Sequence, residues 1–174
     1  MKVLIDEQSI KNRVAEVAKQ IDSDFANKDF ILVCILKGAF MFTAELAKNI
    51  KSENVSFEFM AVSSYGNEKR SSGKIKIVKD IDVDVQGKNI VIIEDIVDTG
   101  LTMEFLVGYF KNKGANCIKV CALLDKKDCR KVEARVDYCC FDIEDRFVIG
   151  YGLDYAQKYR NLPYIAEYTG GNNE

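Results

Sequence analysis

Apolar and polar positions alternate along the chain in blocks that predict helices and strands in turn. The spacing of apolar residues predicts an amphipathic helix over residues 8–27. Its apolar positions are Ile10, Val14, Val17 and Ile21. A continuous apolar run at residues 30–36 has the length of a strand that is covered on both faces. The remaining predicted elements are a helix at 39–48, strands at 55–62, 75–78 and 89–93, a helix at 103–110, and strands at 118–124, 138–141 and 147–149.

The order of these elements predicts the fold class. Strands and helices that follow one another form right-handed βαβ units, whose strands lie parallel. We therefore expect an α/β protein with a central, mostly parallel sheet flanked by helices. The chain has 174 residues, a length that suits one domain over residues 1–174.

One polar stretch interrupts the pattern. Residues 63–74 are rich in Ser and Gly and contain no periodic apolar positions, which predicts a long exposed loop. Loops of about 12 residues inside a compact domain are often lids or binding loops. A simple hairpin is the alternative.

Composition and charge exclude several classes of function. The net charge of −2 gives no electrostatic reason to expect binding to nucleic acid or to an anionic membrane. No apolar stretch approaches the about 20 residues that cross a bilayer. The N-terminal sequence becomes acidic at Asp6, before the core of a signal peptide could form. We expect a cytoplasmic protein.

Histidine is absent, which removes the commonest zinc ligand and the commonest general base. The six cysteines form no Cys-x-x-Cys pair, and a chain of this length with no secretion signal is not expected to have a disulfide framework. Five of them are expected to be small buried hydrophobic residues in strands. These are Cys34, Cys117, Cys121, Cys139 and Cys140.

The most informative feature is a predicted buried strand that ends in two acids and is followed by a short loop and a helix. Glu94 and Asp95 lie at the carboxyl end of the strand, where open α/β sheets bind their ligands. The loop at residues 98–102 can direct several backbone N–H groups at one anion, assisted by the helix dipole. These residues predict a phosphate site flanked by acids, which suits a phosphorylated sugar and a divalent metal.

Two other interpretations of this segment are open. Asp98 and Thr99 could simply cap the helix while the acids are solvated. The tripeptide Asp-Thr-Gly also occurs around the nucleophile of aspartic proteases. That class requires an all-β fold and a second such motif or a homodimer, whereas the surrounding sequence predicts a strand and a helix.

Residues 91–102, Val-Ile-Ile-Glu-Asp-Ile-Val-Asp-Thr-Gly-Leu-Thr, resemble the phosphoribosyl pyrophosphate signature of type I phosphoribosyltransferases. Further segments resemble the hypoxanthine-guanine branch of that family in the matching order. They are Leu36-Lys37-Gly38, Ser64-Tyr65-Gly66, residues 123–127, residues 147–155 and Tyr159-Arg160. Together they span roughly residues 30–170 and are far more specific than any one segment.

The resemblance implies a type I phosphoribosyltransferase fold, with a core at about 28–145 and a small hood from the N-terminal segment and about 146–170. It implies purine salvage: transfer of the phosphoribosyl group from 5-phosphoribosyl 1-pyrophosphate to hypoxanthine, and to guanine, giving IMP or GMP and pyrophosphate. Mg²⁺ is the implied cofactor, and a homodimer or homotetramer is the implied assembly. The alternatives are a transferase for another base, such as xanthine, and a fold-related regulator that binds RNA.

The resemblance also implies roles at the ribose. Asp98 matches the acid that contacts the purine N7 and acts as the general base. Glu94 and Asp95 match the acids that face the ribose hydroxyls and the associated Mg²⁺. The implied 5′-phosphate loop consists of Ile96, Val97, Asp98, Thr99, Gly100, Leu101 and Thr102, of which Leu101 is often Lys or Arg in relatives.

At the pyrophosphate, the segment Leu36-Lys37-Gly38 matches a binding loop whose Leu–Lys peptide bond is typically cis. Arg160 matches a second pyrophosphate contact. Ser64 and Tyr65 match the start of a flexible loop that closes over the reacting ribose.

At the base, Lys126 matches the lysine that donates to the purine 6-oxo group. Phe147 matches the aromatic residue that stacks on the purine, and Val148 the residue whose backbone contacts the ring edge. Asp154 matches a ligand of a second Mg²⁺. Taken singly, these residues also fit a simpler interpretation, because a charged residue is usually solvated and an isolated Phe is usually in the core.

Overall fold

The computed structural model describes residues 1–65 and 74–170. The helices are α1 (Glu7–Asp24), α2 (Phe40–Asn49) and α3 (Leu101–Asn112), and a 3₁₀ turn spans Lys127–Cys129. The strands are β1 (Lys2–Ile5), β2 (Phe30–Leu36), β3 (Val55–Tyr65), β4 (Lys74–Lys79), β5 (Asn89–Val97), β6 (Cys117–Asp125), β7 (Tyr138–Asp142), β8 (Val148–Ile149) and β9 (Ile165–Glu167).

Six strands form the main sheet in the order β4-β3-β2-β5-β6-β7. All neighbouring pairs are parallel except β3 and β4, which are antiparallel. Strand β2 lies inside the sheet, where Cys34 pairs with Phe59 on one side and with Ile93 on the other. The predicted α/β class with a mostly parallel sheet is confirmed.

A helical layer covers each face of this sheet. Helices α1 and α2 lie on one face, and α1 buries the apolar positions that define its predicted stripe. Helix α3 lies on the other face and buries Met103, Leu106 and Phe110 against Ile90 and Ile92 of β5. Among the described residues, no helix combines the length and the apolar character that spanning a lipid bilayer requires.

A second, three-stranded sheet has the order β1-β9-β8 and is antiparallel. It joins the two ends of the chain, because Lys2 in β1 pairs with Glu167 in β9. The pattern of residues predicted neither β1 nor β9 as a strand. Elements of three or four residues carry too few alternations to be recognised.

The polar stretch at 63–74 is shorter than predicted. Ser63, Ser64 and Tyr65 belong to β3 and Lys74 to β4, so the loop prediction is wrong at these four positions. Ser64 pairs with Ile75 across the two strands, and backbone pairing at a sheet edge does not require apolar side chains. The rest of the predicted loop, residues 66–73, lies outside the described residues.

All six cysteines are free thiols. Cys34, Cys121 and Cys140 are buried, as predicted, but Cys117 and Cys139 are partly exposed. The prediction of burial is wrong for these two because Cys117 begins β6 and Cys139 lies on the edge strand β7.

Candidate active site

A cavity of about 350 Å³ opens where the parallel strands of the main sheet end. Its walls come from the ends of β2, β3 and β5, from β4, from the start of α3, and from the segment after β8. This is the edge at which α/β sheets place their ligands. The predicted site residues that line it are Leu36, Gly38, Ser64, Glu94, Asp95, Ile96, Val97, Asp98, Thr99, Gly100, Thr102, Asp154 and Arg160.

Glu94 and Asp95 form a pair of acids at the base of the cavity. Burial, together with the neighbouring Asp95 carboxylate, raises the pKa of Glu94 well above its usual value. Burial also raises the pKa of Asp95. The Asp95 carboxylate lies so close to Gly38 that any side chain at position 38 would collide with it. Two carboxylates at such a place would gain from a bound cation or from hydroxyl donors.

The loop between β5 and α3 has the form of an anion site. Gly100 lies in the left-handed region with φ of 86°, a conformation that favours glycine, and α3 begins at the next residue. A Cβ at position 100 would also lie 2.8 Å from Ala134 Cβ. Within the described part of the chain, the backbone N–H groups of Thr99 and Thr102 have no acceptor. They are free to bind an anion at the N-terminus of the helix.

Two of the predicted base-site residues are brought together beside this loop. Lys126 Nζ lies 3.9 Å from Asp98 Oδ2 and 3.2 Å from Asp145 Oδ1. Lys126 is only 7% exposed, so it is not an ordinary solvated lysine. Its ammonium group, as donor and as positive charge, lowers the pKa of Asp145.

Phe147 lies outside the core, because 54% of its surface is exposed. Its ring makes edge contacts with Tyr155 and Tyr168, at centroid distances of 5.9 and 6.0 Å. The next residue, Val148, is buried in β8. An exposed ring that is held at its edges leaves a face available for stacking.

The predicted pyrophosphate residues lie on the other side of the cavity. The Leu36–Lys37 peptide bond is cis, as the resemblance implies. Arg160 Nη2 lies 2.9 Å from Asp154 Oδ1, so these two residues form an ion pair rather than two independent surface charges. Gln157 Oε1 accepts from Lys37 Nζ at 3.4 Å and from Arg160 at 3.3 Å.

Not every predicted residue lines the cavity. Those that lie beside it or face elsewhere are Lys37, Leu101, Lys126, Phe147 and Val148. Tyr65 is the last residue of β3. The predicted sugar- and phosphate-contacting residues therefore line the cavity for the most part, and the predicted base-contacting residues Lys126, Phe147 and Val148 lie at its margin or beyond it.

Sequence reasoning missed Arg130, Asp125 and Asp145. Arg130 Nη1 donates to the backbone oxygens of Val97 and Asp98, and Nη2 pairs with the Asp125 carboxylate. Arg130 lies in a run of charged residues, which is typical of a solvated segment, so no local pattern distinguishes it.

A second cluster of possible metal ligands lies outside the cavity. One ligand atom each from Asp125, Cys139 and Asp142 lie within 4.8 Å of one another. Asp125 is already paired with Arg130, and Asp142 Oδ2 lies 2.8 Å from Lys127 Nζ. Because these cations already neutralise the carboxylates, the cluster fits a metal poorly.

Comparison with known proteins matches residues 3–156 to the model of the family described as "Phosphoribosyl transferase domain". The chain belongs to this family.

Named relatives of this phosphoribosyltransferase are similar over nearly their whole length. A hypoxanthine-guanine phosphoribosyltransferase from Bacillus subtilis is 47% identical over 164 residues, which cover 94% of this chain and 91% of that protein. One from Streptococcus thermophilus is 44% identical over the same shares. A crystal structure of a Bacillus anthracis hypoxanthine-guanine phosphoribosyltransferase superimposes with a TM-score of 0.91 at 44% identity, covering 96% of this chain and 98% of that one. The predicted type I phosphoribosyltransferase fold is thereby confirmed.

Proposed function

We propose that this phosphoribosyltransferase serves purine salvage by transferring the phosphoribosyl group of 5-phosphoribosyl 1-pyrophosphate to hypoxanthine, with guanine as a second acceptor. The products are IMP or GMP and pyrophosphate. The observation that carries the proposal is that Asp98, which lines the cavity with the acid-flanked loop, lies 3.9 Å from Lys126 at the cavity margin. The relatives named above carry the name of the same activity.

The reaction forms a bond between a purine ring nitrogen and carbon 1 of the ribose while the bond from that carbon to the pyrophosphate oxygen breaks. The ribose becomes cationic in the transition state, so negative charge near it is stabilising. Glu94 and Asp95 would supply that charge and accept hydrogen bonds from the ribose hydroxyls. Asp98 would accept the proton that the purine releases, acting at N7 as the general base.

Lys126 gives a physical reason for preferring oxopurines. Its ammonium group is a donor with no acceptor capacity, and the 6-oxo group of hypoxanthine or guanine is an acceptor. Adenine carries an amino donor at that position, and two facing donors would be left unpaired. Phe147 would stack on the ring, and the backbone of Val148 would contact the ring edge.

The two phosphate groups of the substrate would be bound at opposite sides of the cavity. The loop from Ile96 to Thr102 would bind the 5′-phosphate through backbone N–H groups and threonine hydroxyls, with Leu101 contributing only its backbone. Arg160 and the Leu36-Lys37-Gly38 segment would bind the pyrophosphate. Ser64 and Tyr65, at the end of β3, begin the segment that we propose covers the ribose.

Glu94, Asp95 and Asp154 would hold Mg²⁺, because they line the cavity and offer carboxylate oxygens, the ligands that Mg²⁺ prefers. Asp154 is paired with Arg160, so Mg²⁺ would share this carboxylate with the arginine. A bound cation would lower the pKa of Glu94, which burial and Asp95 raise in the ligand-free protein. Bound Mg²⁺ would neutralise charge on the pyrophosphate group.

We also propose a homo-oligomer, a homodimer or homotetramer. Phe57 and Phe59 of β3 are 39% and 44% exposed. Phe59 pairs with Cys34 in β2, so it lies on the sheet face that α2 covers further along. Phe40, 43% exposed, begins α2 on that face. An apolar face of this kind would be buried by a second copy of the chain.

We propose a core at about 28–145 and a hood from the N-terminal segment and about 146–170, supported by the separate sheet of β1, β9 and β8. A cytoplasmic location is supported by six free cysteines, which suit a reducing compartment. The comparisons do not favour the alternatives, a xanthine-specific transferase and an RNA-binding regulator.

A spectrophotometric assay with 5-phosphoribosyl 1-pyrophosphate, Mg²⁺ and each of hypoxanthine, guanine, xanthine and adenine tests the proposal. We expect turnover with hypoxanthine and guanine and little with adenine. Turnover with xanthine alone would replace the proposed substrate. The absence of turnover with every base, together with tight and salt-sensitive RNA binding, would favour the regulator.

A further inference from the structure

The segment after β6 holds the phosphate loop from behind. Arg130 Nη1 donates to Val97 O at 2.9 Å and to Asp98 O at 2.6 Å. The backbone N–H of Lys131 donates to Thr99 O at 2.9 Å. Three consecutive carbonyl groups of the loop are therefore bound on one side, and Arg130 and Lys131, which bind them, are not among the assigned site residues.

The anchored carbonyls fix where the N–H groups point. In a trans peptide unit the C=O and the following N–H point in opposite directions. Binding the carbonyls of Val97, Asp98 and Thr99 from behind turns the N–H groups of Asp98, Thr99 and Gly100 the other way. Within the ranges that the structure describes, none of these three N–H groups has an acceptor. They therefore point away from Arg130 and Lys131, and the three residues that carry them line the cavity.

Asp125 fixes the orientation of the Arg130 guanidinium group, which binds the loop carbonyls. It is 2% exposed, ends β6, and pairs with Arg130 Nη2, while Nη1 of the same planar group binds the loop carbonyls. A guanidinium presents its donors in a rigid fork, so the carboxylate that orients one nitrogen orients the other. Lysine has a single nitrogen on a flexible stem and cannot bridge the carboxylate and both carbonyls in the same way.

We propose that Arg130, oriented by Asp125, is a positioning residue that presets the phosphate loop for the 5′-phosphate of the substrate and of the product nucleotide. This inference rests on the proposed function. Arg130 would act through backbone groups, chiefly those of the loop, and its Nη1 also lies 3.4 Å from Lys126 O. Its loss would weaken binding of the 5′-phosphate more than binding of the base or sugar.

The test compares Arg130→Gln, Arg130→Lys and Asp125→Asn with wild type. Arg135→Gln is the matched control, because Arg135 is an exposed arginine of the same segment whose only ion pair is with Asp137 among the described residues. The readouts are KM for 5-phosphoribosyl 1-pyrophosphate, KM for hypoxanthine, kcat, and the dissociation constants of IMP and inosine. IMP and inosine differ only in the 5′-phosphate.

We expect Arg130→Gln to raise KM for the phosphorylated sugar and Kd for IMP by about tenfold or more, the effect of losing a charge-assisted hydrogen bond. KM for hypoxanthine and Kd for inosine should change little, and Arg135→Gln should match wild type. Asp125→Asn should show a smaller effect in the same direction. A purely structural role would lower the active fraction and melting temperature and leave the ratio of IMP to inosine affinity unchanged.

An unchanged ratio of IMP to inosine affinity in the folded variants would overturn the inference. If none of the variants folds, the inference is tested by the rate at which the arginine guanidinium hydrogens of wild-type protein exchange with solvent. Slow exchange at Arg130 supports the inference, and exchange as fast as at Arg135 overturns it. If wild-type protein bound IMP but turned over no base, the proposed function would be contradicted. The ratio of IMP to inosine affinity would still test the role of Arg130.

Discussion

Lys126 Nζ lies 3.9 Å from Asp98 Oδ2, which brings the proposed base-recognition group and the proposed general base into one electrostatic unit. The sheet register accounts for this contact. Val97 at the end of β5 pairs with Asp125 at the end of β6. Asp98 and Lys126, the residues that follow these two strand ends, therefore lie side by side. A purine bound by Lys126 through its 6-oxo group would therefore present its N7 edge to Asp98.

Replacing Asp98 with asparagine tests the general base. Asparagine keeps the size and can donate or accept hydrogen bonds but cannot accept the proton. We expect kcat to fall by about 10²–10⁴-fold, the usual contribution of a well-placed base. KM for 5-phosphoribosyl 1-pyrophosphate should rise only modestly, because the loop backbone is retained. Steady-state kinetics with hypoxanthine measure both.

Asp82→Asn is the control for this substitution, because Asp82 is an exposed acid that pairs with Lys79 at 3.5 Å, away from the cavity. It should leave kcat unchanged. If Asp98→Asn also left kcat unchanged, Asp98 would not be the base.

Replacing Glu94 with glutamine should stabilise the ligand-free protein at high pH. The pKa of Glu94 is raised above its usual value of 4.5 by burial and by Asp95, so the folded protein holds its proton more tightly than the unfolded chain. The free energy of unfolding then falls as pH rises from that value toward the folded-state pKa, by about 1.4 kcal/mol for each unit between them. Glutamine does not ionise, so this pH-dependent loss of unfolding free energy should be absent from the variant.

Thermal unfolding between pH 4 and pH 8 measures this difference. The melting temperature of Glu94→Gln should exceed that of wild type most at pH 8, and the gap should close near pH 4. Glu53→Gln, at an exposed position, is the control and should follow wild type throughout. If the melting temperatures of Glu94→Gln and wild type differed by the same amount at every pH, burial of the Glu94 charge would not be the cause of the difference.

Removing divalent metal should abolish turnover. With EDTA present we expect no measurable IMP formation, and added Mg²⁺ should restore it, because the pyrophosphate group loses its neutralising cation without metal. Asp154→Asn should raise the Mg²⁺ concentration that gives half-maximal activity. Asp142→Asn removes an acid of the other carboxylate cluster and should leave that concentration unchanged. Full activity in EDTA would contradict the Mg²⁺ assignment.

Charging the exposed apolar face should separate the subunits. Phe59→Asp places a carboxylate on the face formed by Phe40, Phe57 and Phe59, and burying an unpaired charge between subunits costs several kcal/mol. Light scattering after size-exclusion chromatography should show a lower mass than for wild type. Val3→Asp, at an exposed apolar position of β1 in the three-stranded sheet, is the matched control and should keep the wild-type mass. An unchanged mass for Phe59→Asp would exclude this face from the interface.

Local sequence determines the parts of the fold and site that depend on residues close together in the chain. The apolar stripe of α1 predicts the face that the helix buries, and the acids and loop at residues 94–102 predict a phosphate site. These features follow from helical periodicity and from the geometry of a strand, turn and helix. The predicted boundaries of the elements differ from those in the structure by a few residues, because a strand ends where its pairing with the neighbouring strand ends. Strand β5, predicted at 89–93, extends to Val97, which pairs with Asp125.

Features that depend on distant residues could not be predicted in this way. Arg130 looks like one charge in a charged run until β6 places Asp125 beside it. Gln157 contacts both Lys37 and Arg160, a contact that no spacing indicates. The family resemblance named Lys126 and Asp98 separately, but their proximity depends on the register between two strands.

The pairing of β1 with β9 has a consequence for how the protein is made. Strand β1 leaves the ribosome well before its partner at residues 165–167, so it must wait, unpaired, until those residues have been translated. Strand β8, next to the exposed Phe147 ring, also pairs with β9. We therefore expect a nascent chain to complete the proposed phosphate loop first and the proposed purine-contacting strand β8 later, when residues 165–167 emerge.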